Sequence, residues 1–374
     1  MKIAIMTTWG YKNNYGSVLQ SYALQKYLRD EGHDAYLIRY HPAIKETNIF
    51  RRLMKMANPV KEILLKLHSV RADRWRGFDE FRETYINHSV RAYYSYDELK
   101  DDPPEADLYI VGSDQVWNVF FFTEDKTRAF FLDFGDEKTR KIAWAASFGR
   151  GHLNDAMIQN VSSLMKCFEY ISVREKSGVD ICKKCGIENA DWVIDPTLLL
   201  DADVYRSLYK NIDVSANRPK GAYCFLYLLD DSNHVSEEEI YKWAAKNGLS
   251  VVYMTGNSRY NRKNIYATIF EWLYLLENSE LVITDSYHSM IFSVIFQKDF
   301  FIIPRTIEVQ NDRFMSFFEM FDIEQRFING DLTFLLQNKR MNWDGINDIL
   351  DKQKRSCKMK IYNILNEHKD IKTT

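Results

Sequence analysis

The sequence contains neither a Walker-type phosphate loop nor a G-x-G-x-x-G fingerprint, which excludes the common ways of binding nucleotide cofactors through a glycine-rich loop. It also lacks the roughly 20 consecutive apolar residues that a membrane-spanning helix needs. The stretch Met1 to Met6 is too short for the apolar core of a signal peptide, so we expect no export. A formal net charge of −2 gives the chain no overall attraction to nucleic acid.

Cysteine is scarce, with five residues in a chain of 374. An odd number in a large chain without an export signal favours reduced thiols and a cytoplasmic protein. Cys182 and Cys185 have C-x-x-C spacing, but no second pair of Cys or His follows at zinc-finger spacing. Paired histidines and His/carboxylate clusters are also missing from the sequence, so we expect no metal site.

Short apolar runs that end in polar or glycine residues alternate with helical periodicity along most of the chain. This alternation predicts an α/β protein with doubly wound parallel sheets and right-handed crossovers. In the first helix, we expect Ser17 to be the capping residue and Gly32 the stop. The predicted strands are 2–7, 35–40, 108–111, 141–145, 170–173 and 192–194, followed by 221–229, 250–254 and 281–284.

The strand pattern restarts after Asp195-Pro196-Thr197, which indicates two Rossmann-like lobes facing each other across a cleft. We expect the first lobe at residues 1–200 and the second at 201–340. The segment 341–374 has helical spacing and is expected to return to pack on the first lobe.

A basic insertion interrupts the first lobe at about residues 44–76. It has nine basic and three acidic residues, a local net charge of +6, interleaved with apolar side chains. Such a segment either contacts the anionic inner face of a membrane, where it would meet a lipid-linked substrate, or is a charged excursion in solvent.

Ligands of parallel sheets bind beyond the carboxyl ends of the strands, so polar residues at those points are the first candidates. His288 follows strand 281–284 at the start of an apolar helix, whose N-terminus favours an anion and disfavours imidazolium. It is either an acid/base residue or an ordinary capping or packing histidine.

Two more strands of the first lobe end in residues that suit a ligand. Arg174 follows strand 170–173 and either clamps a carboxylate or phosphate or pairs with Glu175. Asp114 follows strand 108–111 within a Gly-Ser-Asp-Gln segment, where it is either a base or acceptor of a sugar hydroxyl or only a helix cap.

Seven segments together resemble the polysaccharide pyruvyl transferase family. The segments are Asn14-Tyr15-Gly16-Ser17-Val18-Leu19-Gln20, Val111-Gly112-Ser113-Asp114-Gln115-Val116-Trp117-Asn118, Ala145-Ala146-Ser147-Phe148-Gly149, Ser172-Val173-Arg174-Glu175, Asp195-Pro196-Thr197-Leu198-Leu199, Glu271-Trp272-Leu273 and Thr284-Asp285-Ser286-Tyr287-His288. The resemblance implies a GT-B-like fold. It also implies transfer of a pyruvyl group from phosphoenolpyruvate, as co-substrate and without another cofactor, to two sugar hydroxyls as a cyclic ketal.

The resemblance also implies roles for individual residues. By position, His288 resembles the acid/base residue and Arg174 the clamp on the donor, while Asp114, the third candidate catalytic residue, is placed on the sugar side. The family motifs at the first-lobe loops imply that the acceptor sugar is bound by Asn14, Tyr15, Gln115 and Trp117.

One position departs from the family pattern. The arginine expected two residues before the histidine is Ser286 here, and the glycine after the histidine is Ser289. Ser286 then lines the donor site without a charge, and the missing cation has to come from Arg305, Arg313 or Lys263.

Three functions follow as hypotheses from these residues. The first is a pyruvyl transferase acting on a surface or capsular glycan or its lipid-linked precursor. The second is a GT-B glycosyltransferase that uses a nucleotide sugar, because the same fold hosts that chemistry. The third is a non-catalytic family member that binds glycan, which the substitution at Ser286 favours.

Overall fold

The computed structural model describes residues 1–8, 13–42, 76–214, 219–229, 236–256, 264–305, 310–323, 326–328 and 340–366. Within them the chain forms two parallel β-sheets flanked by helices, which is the predicted α/β class. Nearly all of the basic insertion predicted at 44–76 lies outside the described residues, as does Lys263.

The first sheet has seven parallel strands in the order β3-β2-β1-β4-β5-β6-β7. Its strands are β1 Lys2–Met6, β2 Asp34–Tyr40, β3 His88–Tyr93, β4 Leu108–Val111, β5 Arg140–Ala146, β6 Tyr170–Val173 and β7 Asp191–Trp192. The chain reverses its direction of winding between β1 and β4. A crevice forms at such a switch point beyond the carboxyl ends of the strands.

Helices α1 to α6 accompany this sheet. They are α1 Tyr15–Asp30, α2 Phe78–Tyr85, α3 Tyr96–Asp101, α4 Glu124–Phe130, α5 Asp155–Met165 and α6 Lys176–Lys184. The prediction that Ser17 caps α1 is wrong, because the side chain of Asn14 accepts the Ser17 N–H (3.1 Å). The Ser17 hydroxyl instead donates to the Thr8 carbonyl and ties α1 to the end of β1.

The second sheet has four parallel strands in the order β11-β10-β8-β9. Its elements are β8 Tyr223–Leu228, β9 Ser250–Thr255, β10 Leu281–Thr284 and β11 Phe300–Ile302, with α7 Ala202–Tyr209, α8 Glu237–Lys246, α9 Ile269–Glu277, α10 Tyr287–Ile295 and α11 Asp312–Met320. Helix α10 begins at Tyr287, because the Ser286 side chain accepts the Ser289 N–H (3.3 Å) and caps it. His288 therefore lies in the first turn of the helix.

The last helix, α12 Trp343–Asn366, follows the second sheet in sequence but contacts residues of the first. Arg140 of β5 donates to the Ile364 carbonyl (2.7 Å), and Lys360 pairs with Asp191 of β7 (2.6 Å). In the part of the chain described here, no helix is long and apolar enough to cross a membrane.

The two sheets share a continuous hydrophobic core. Tyr15 of α1 stacks on Trp272 of α9, with ring centroids 5.3 Å apart and an interplanar angle of 9°. Burial of aromatic surface is the main source of such cohesion. The shared core therefore fixes the spacing of the two sets of strand ends.

Candidate active site

Polar residues from the carboxyl ends of both sheets meet in one buried cluster. Thr8 follows β1, Asp114 follows β4, and Arg174 and Glu175 follow β6. From the second sheet, the turn after β10 contributes His288. Parallel strands bring residues that are distant in sequence to one edge in this way.

The guanidinium of Arg174 is fully buried among three carboxylates. It donates to Asp195 (3.0 Å), to Glu175 (3.3 Å) and to Asp114 (3.4 Å). Burial lowers the pKa of Arg174, but the three carboxylates more than compensate and raise it above its ordinary value. Arg174 therefore does pair with Glu175, as one of three carboxylates. Together these carboxylates already neutralise the guanidinium. The interpretation of Arg174 as a direct clamp on the donor does not fit these contacts.

Asp195 is the centre of this network, although it was not among the site residues predicted from the sequence. One carboxylate oxygen accepts the Thr197 N–H (3.0 Å) and hydroxyl (2.8 Å), and the other accepts from Ser113 (3.0 Å) and Arg174. Burial raises its pKa, but His288, Arg174 and Thr197 together hold the pKa of Asp195 well below its ordinary range. The Asp195-Pro196-Thr197 motif after a strand was the signal that pointed to it.

His288 lies beside this aspartate and against the first lobe. Its Nε2 is 3.6 Å from Asp195 Oδ2, which is too long for a hydrogen bond. Among the described residues, this nitrogen has no hydrogen-bond partner.

Gly16 of α1 provides the space for this imidazole. A Cβ atom added to Gly16 would overlap Nδ1, Cγ and Cβ of His288. The contact crosses from the first sheet's helix to the second sheet's helix, and the backbone conformation of Gly16 is ordinary helix. A glycine is therefore needed at position 16 because a side chain there would collide with His288.

Replacing Gly16 by alanine is expected to displace His288 and lower turnover at least tenfold, because small misplacement of a catalytic group is costly. Steady-state kinetics would measure the effect, and Lys26→Ala, on the same helix but paired with Asp30 at the surface, serves as the control for substitution in α1. Unchanged turnover in Gly16→Ala would contradict a requirement for this contact.

Asp114 combines an unusual backbone with a stable negative charge. Its φ of 70° lies in the left-handed region, where strained residues often mark functional sites. Burial alone raises its pKa, but Arg174, His288 and a hydrogen bond from Thr8 (2.7 Å) bring the pKa of Asp114 down to about 2. Its side chain is 17% exposed, whereas that of Arg174 is fully buried. It is thus an ionised acceptor within reach of solvent.

Arg313 and Arg305 bring positive charge to the same region. Arg313 is 8% exposed and lies over the rings of Tyr287 (5.6 Å) and Phe314 (5.4 Å). In the described residues, Nε of neither arginine has a hydrogen-bond partner. Burial lowers the pKa of Arg313 to about 10, and the nearby charges of Arg305 and Arg174 act in the same direction. A buried guanidinium that stays charged at neutral pH without a paired carboxylate suits an anionic ligand.

Asn311 positions Arg305. Its side chain accepts the Arg305 N–H (2.9 Å) and donates to the Arg305 carbonyl (3.1 Å). Both backbone groups of Arg305 are thereby held next to the start of α11. Among the described residues, Arg305 and Arg313 are therefore the candidates for the positive charge that Ser286 does not supply.

Two of the predicted acceptor residues are packing residues. Trp117 is buried in the core of the first lobe, donates to the Phe130 carbonyl (3.2 Å) and stacks on Phe131. The Tyr15 hydroxyl donates to the Ala267 carbonyl (2.5 Å), and its ring is buried between the lobes. Neither side chain is available to a sugar, so both interpretations are corrected.

The other three uncharged candidates have local roles. Asn14 caps α1, and Ser286 caps α10. Gln115 accepts from the Asn118 side chain (2.9 Å) near the end of β4. Gln115 and Asn14 are half-buried at the edge of the cluster, so contact with an acceptor stays a prediction.

The cysteines lie outside the cluster and are free thiols. Burial raises the pKa of Cys182 to about 12 and also raises the pKa of Cys185, which disfavours the reactive thiolate. In the described ranges, no group of three or more His, Cys, Asp or Glu side chains could hold a metal ion.

Two parallel sheets with converging carboxyl ends define a GT-B-like α/β protein whose candidate active site lies between the lobes. The family model described as polysaccharide pyruvyl transferase matches residues 14–306. The chain therefore belongs to the polysaccharide pyruvyl transferase family.

Solved structures share the fold at low sequence identity. The UDP-GlcNAc 2-epimerase of Methanocaldococcus jannaschii is 14% identical with a TM-score of 0.54, over 97% of this chain and 100% of that one. The UDP-N-acetylglucosamine 2-epimerase of Rickettsia bellii is 10% identical with a TM-score of 0.53, over 99% and 100%. At these identities the similarity concerns the fold alone. A search of curated protein sequences gives no match.

Proposed function

We propose that the protein transfers a pyruvyl group from phosphoenolpyruvate to two hydroxyls of a sugar, in a surface glycan or its lipid-linked precursor. One hydroxyl adds to C2 of the donor while C3 gains a proton and becomes a methyl group. Phosphate then leaves C2 with its bonding electrons, and the second hydroxyl closes the cyclic ketal. The two hydroxyl protons balance the proton gained by C3 and the one taken by the leaving phosphate.

The observation that carries this proposal is the buried guanidinium of Arg313, which pairs with no carboxylate of the described residues and contacts Tyr287 beside His288. Phosphoenolpyruvate has a phosphate and a carboxylate, and each needs positive charge in a site that excludes water. Arg313 and Arg305 supply that charge from the second lobe, and the N-terminus of α10 adds backbone N–H groups. In this proposal Arg313 and Arg305, and not Arg174, bind the anionic groups of the donor.

Proton transfer falls to His288 with support from Asp195. His288 is the imidazole of the cluster, its Nε2 lies 3.6 Å from the Asp195 carboxylate, and a positioned histidine is the side chain used most often for acid/base catalysis. Asp114, ionised and partly exposed, is suited to accept a hydrogen bond from a sugar hydroxyl. Arg174 keeps both aspartates in place.

The test is phosphate release from phosphoenolpyruvate in the presence of galactose- and mannose-containing acceptors, with the ketal detected by mass spectrometry. Calorimetry with phosphoenolpyruvate, UDP, GDP and CMP separates the proposal from a nucleotide-sugar glycosyltransferase. Tight binding of a nucleotide with no binding of phosphoenolpyruvate would overturn the proposal. Donor binding without any ketal product across the panel would favour a non-catalytic member.

The Arg313→Gln variant is expected to bind phosphoenolpyruvate ten to a hundred times more weakly, since one charge-assisted contact in a buried site is lost. Isothermal titration calorimetry at neutral pH, where Arg313 is charged, measures the change. Arg206→Gln is the matched control, because Arg206 also lies in the second half of the chain but pairs with Glu277 and Asp203. Equal affinity in Arg313→Gln and wild type would remove Arg313 from the donor site.

A further inference from the structure

Glu175 and Arg313 each carry a buried atom that lacks a hydrogen-bond partner among the described residues. Glu175 is 2% exposed, and its Oε2 is unsatisfied, while Arg313 is 8% exposed with an unsatisfied Nε. Buried polar groups are nearly always bonded in proteins, so two such groups in one cluster require an explanation.

The two groups are close enough to influence each other but are not paired. Burial raises the pKa of Glu175, and the positive charges of Arg174 and Arg313 counteract this rise. The other oxygen, Oε1, accepts from the Ser147 hydroxyl and from Arg174 (3.3 Å). A bond between Oε2 and Arg313 would satisfy both unsatisfied atoms, but none forms among the described residues.

The ring of Tyr287 lies against the guanidinium groups of both Arg174 and Arg313. The guanidinium carbons of Arg174 and Arg313 lie 4.7 Å and 5.6 Å from its centroid. The ring is 4% exposed and packs against Phe314 and Phe317, with centroids 6.1 Å and 6.2 Å away. Cation–π attraction and this packing hold Arg313 over the ring.

We propose that Tyr287 is a positioning residue that keeps Arg313 and Glu175 apart, so that one anionic group of the donor binds Arg313 in place of Glu175. The inference rests on the proposed function for the identity of the donor. Its structural part, a guanidinium prevented from pairing with a buried acid, depends only on the contacts above.

The Tyr287→Leu variant is expected to let Arg313 pair with Glu175 and to weaken phosphoenolpyruvate binding at least tenfold in calorimetry without acceptor. Tyr287→Phe keeps the ring and is expected to stay within about threefold of wild type. The control is Tyr96→Leu, which removes a ring lying 5.1 Å from Arg128 in a helix outside the cluster.

A second substitution separates this role from simple packing. In Tyr287→Leu combined with Glu175→Gln, the neutral amide no longer competes for Arg313, and donor affinity is expected to recover most of the loss. A ring that only fills space predicts that the double variant binds no better than the single one. Such a result, or a loss in Tyr287→Phe as large as in Tyr287→Leu, would overturn the inference.

The crystal structure of Tyr287→Leu gives a readout that does not depend on the donor. Arg313 at ion-pair distance from Glu175 supports the inference, and Arg313 still separated from it refutes the inference even if phosphoenolpyruvate binds. If the wild type binds a nucleotide and no phosphoenolpyruvate, the proposed function fails, while the structure of the variant still decides the role of Tyr287. Tyr287→Met replaces the leucine variant if the latter does not fold.

Discussion

Replacing His288 with glutamine is expected to lower the turnover number about 10²- to 10⁴-fold, the usual contribution of a positioned acid/base residue. Glutamine keeps a polar side chain of similar length but cannot exchange a proton at neutral pH. The donor anions are assigned to Arg313 and Arg305, so the affinity for phosphoenolpyruvate is expected to change little.

The measurement is phosphate release at saturating phosphoenolpyruvate and acceptor, with calorimetry for donor affinity. His88→Gln is the control, because His88 lies on the edge strand β3 and contacts Glu83 on the surface. A variant at His288 that retains full turnover would remove this residue from catalysis. A parallel loss of donor affinity would instead make His288 part of the anion site.

The strands that the sequence predicted best are the buried parallel ones. All four residues of β4 and of β10 are buried, so each strand appears in the sequence as an uninterrupted apolar run. Strand β3, with the sequence His-Ser-Val-Arg-Ala-Tyr, was missed because it is an edge strand with exposed positions. Strand β11 was missed because it has only three residues.

The residues of the candidate site could be predicted from the strand ends, but the contacts between them could not. Arg174, Asp114 and His288 follow predicted strands, and topology alone brings such residues to one edge. Asp195 was visible as part of a motif, yet its contact with both Arg174 and His288 depends on the relative position of two sheets. No local pattern encodes that position.

Aromatic residues in the motifs were the least predictable part of the site. Trp117 and Tyr15 lie within segments shared with the family, and a ring beside a cleft can face either the ligand or the core. Both face the core, because the strands behind them leave large apolar spaces to fill. The reverse occurs at Tyr287, where a residue not selected from the sequence contacts two guanidinium groups.

Replacing Arg174 with methionine is expected to destabilise the fold by about 3–5 kcal/mol, the typical cost of removing one partner from a buried ionic group. A residue that only clamps the donor, the role that the family resemblance implies for Arg174, could be replaced without destabilising the fold. The contacts of Arg174 contradict that expectation, because its loss leaves Asp195, Glu175 and Asp114 without their shared cation. Methionine fills much of the volume, so the cost reflects charge more than an empty space.

Urea denaturation of Arg174→Met measures this cost, and the dependence on pH identifies its source. Asp114 has a pKa of about 2 in the folded protein and an ordinary value of 3.8, so the stability it contributes is present above 3.8 and lost as the pH falls toward 2. The difference in the free energy of unfolding between wild type and Arg174→Met is therefore expected to shrink over that interval.

Arg91→Met is the control, because its pair with Asp102 is solvent-exposed and is worth at most about 1 kcal/mol. A difference for Arg174→Met that is equally small, or that stays constant at low pH, would show that Arg174 is free to serve the donor after all.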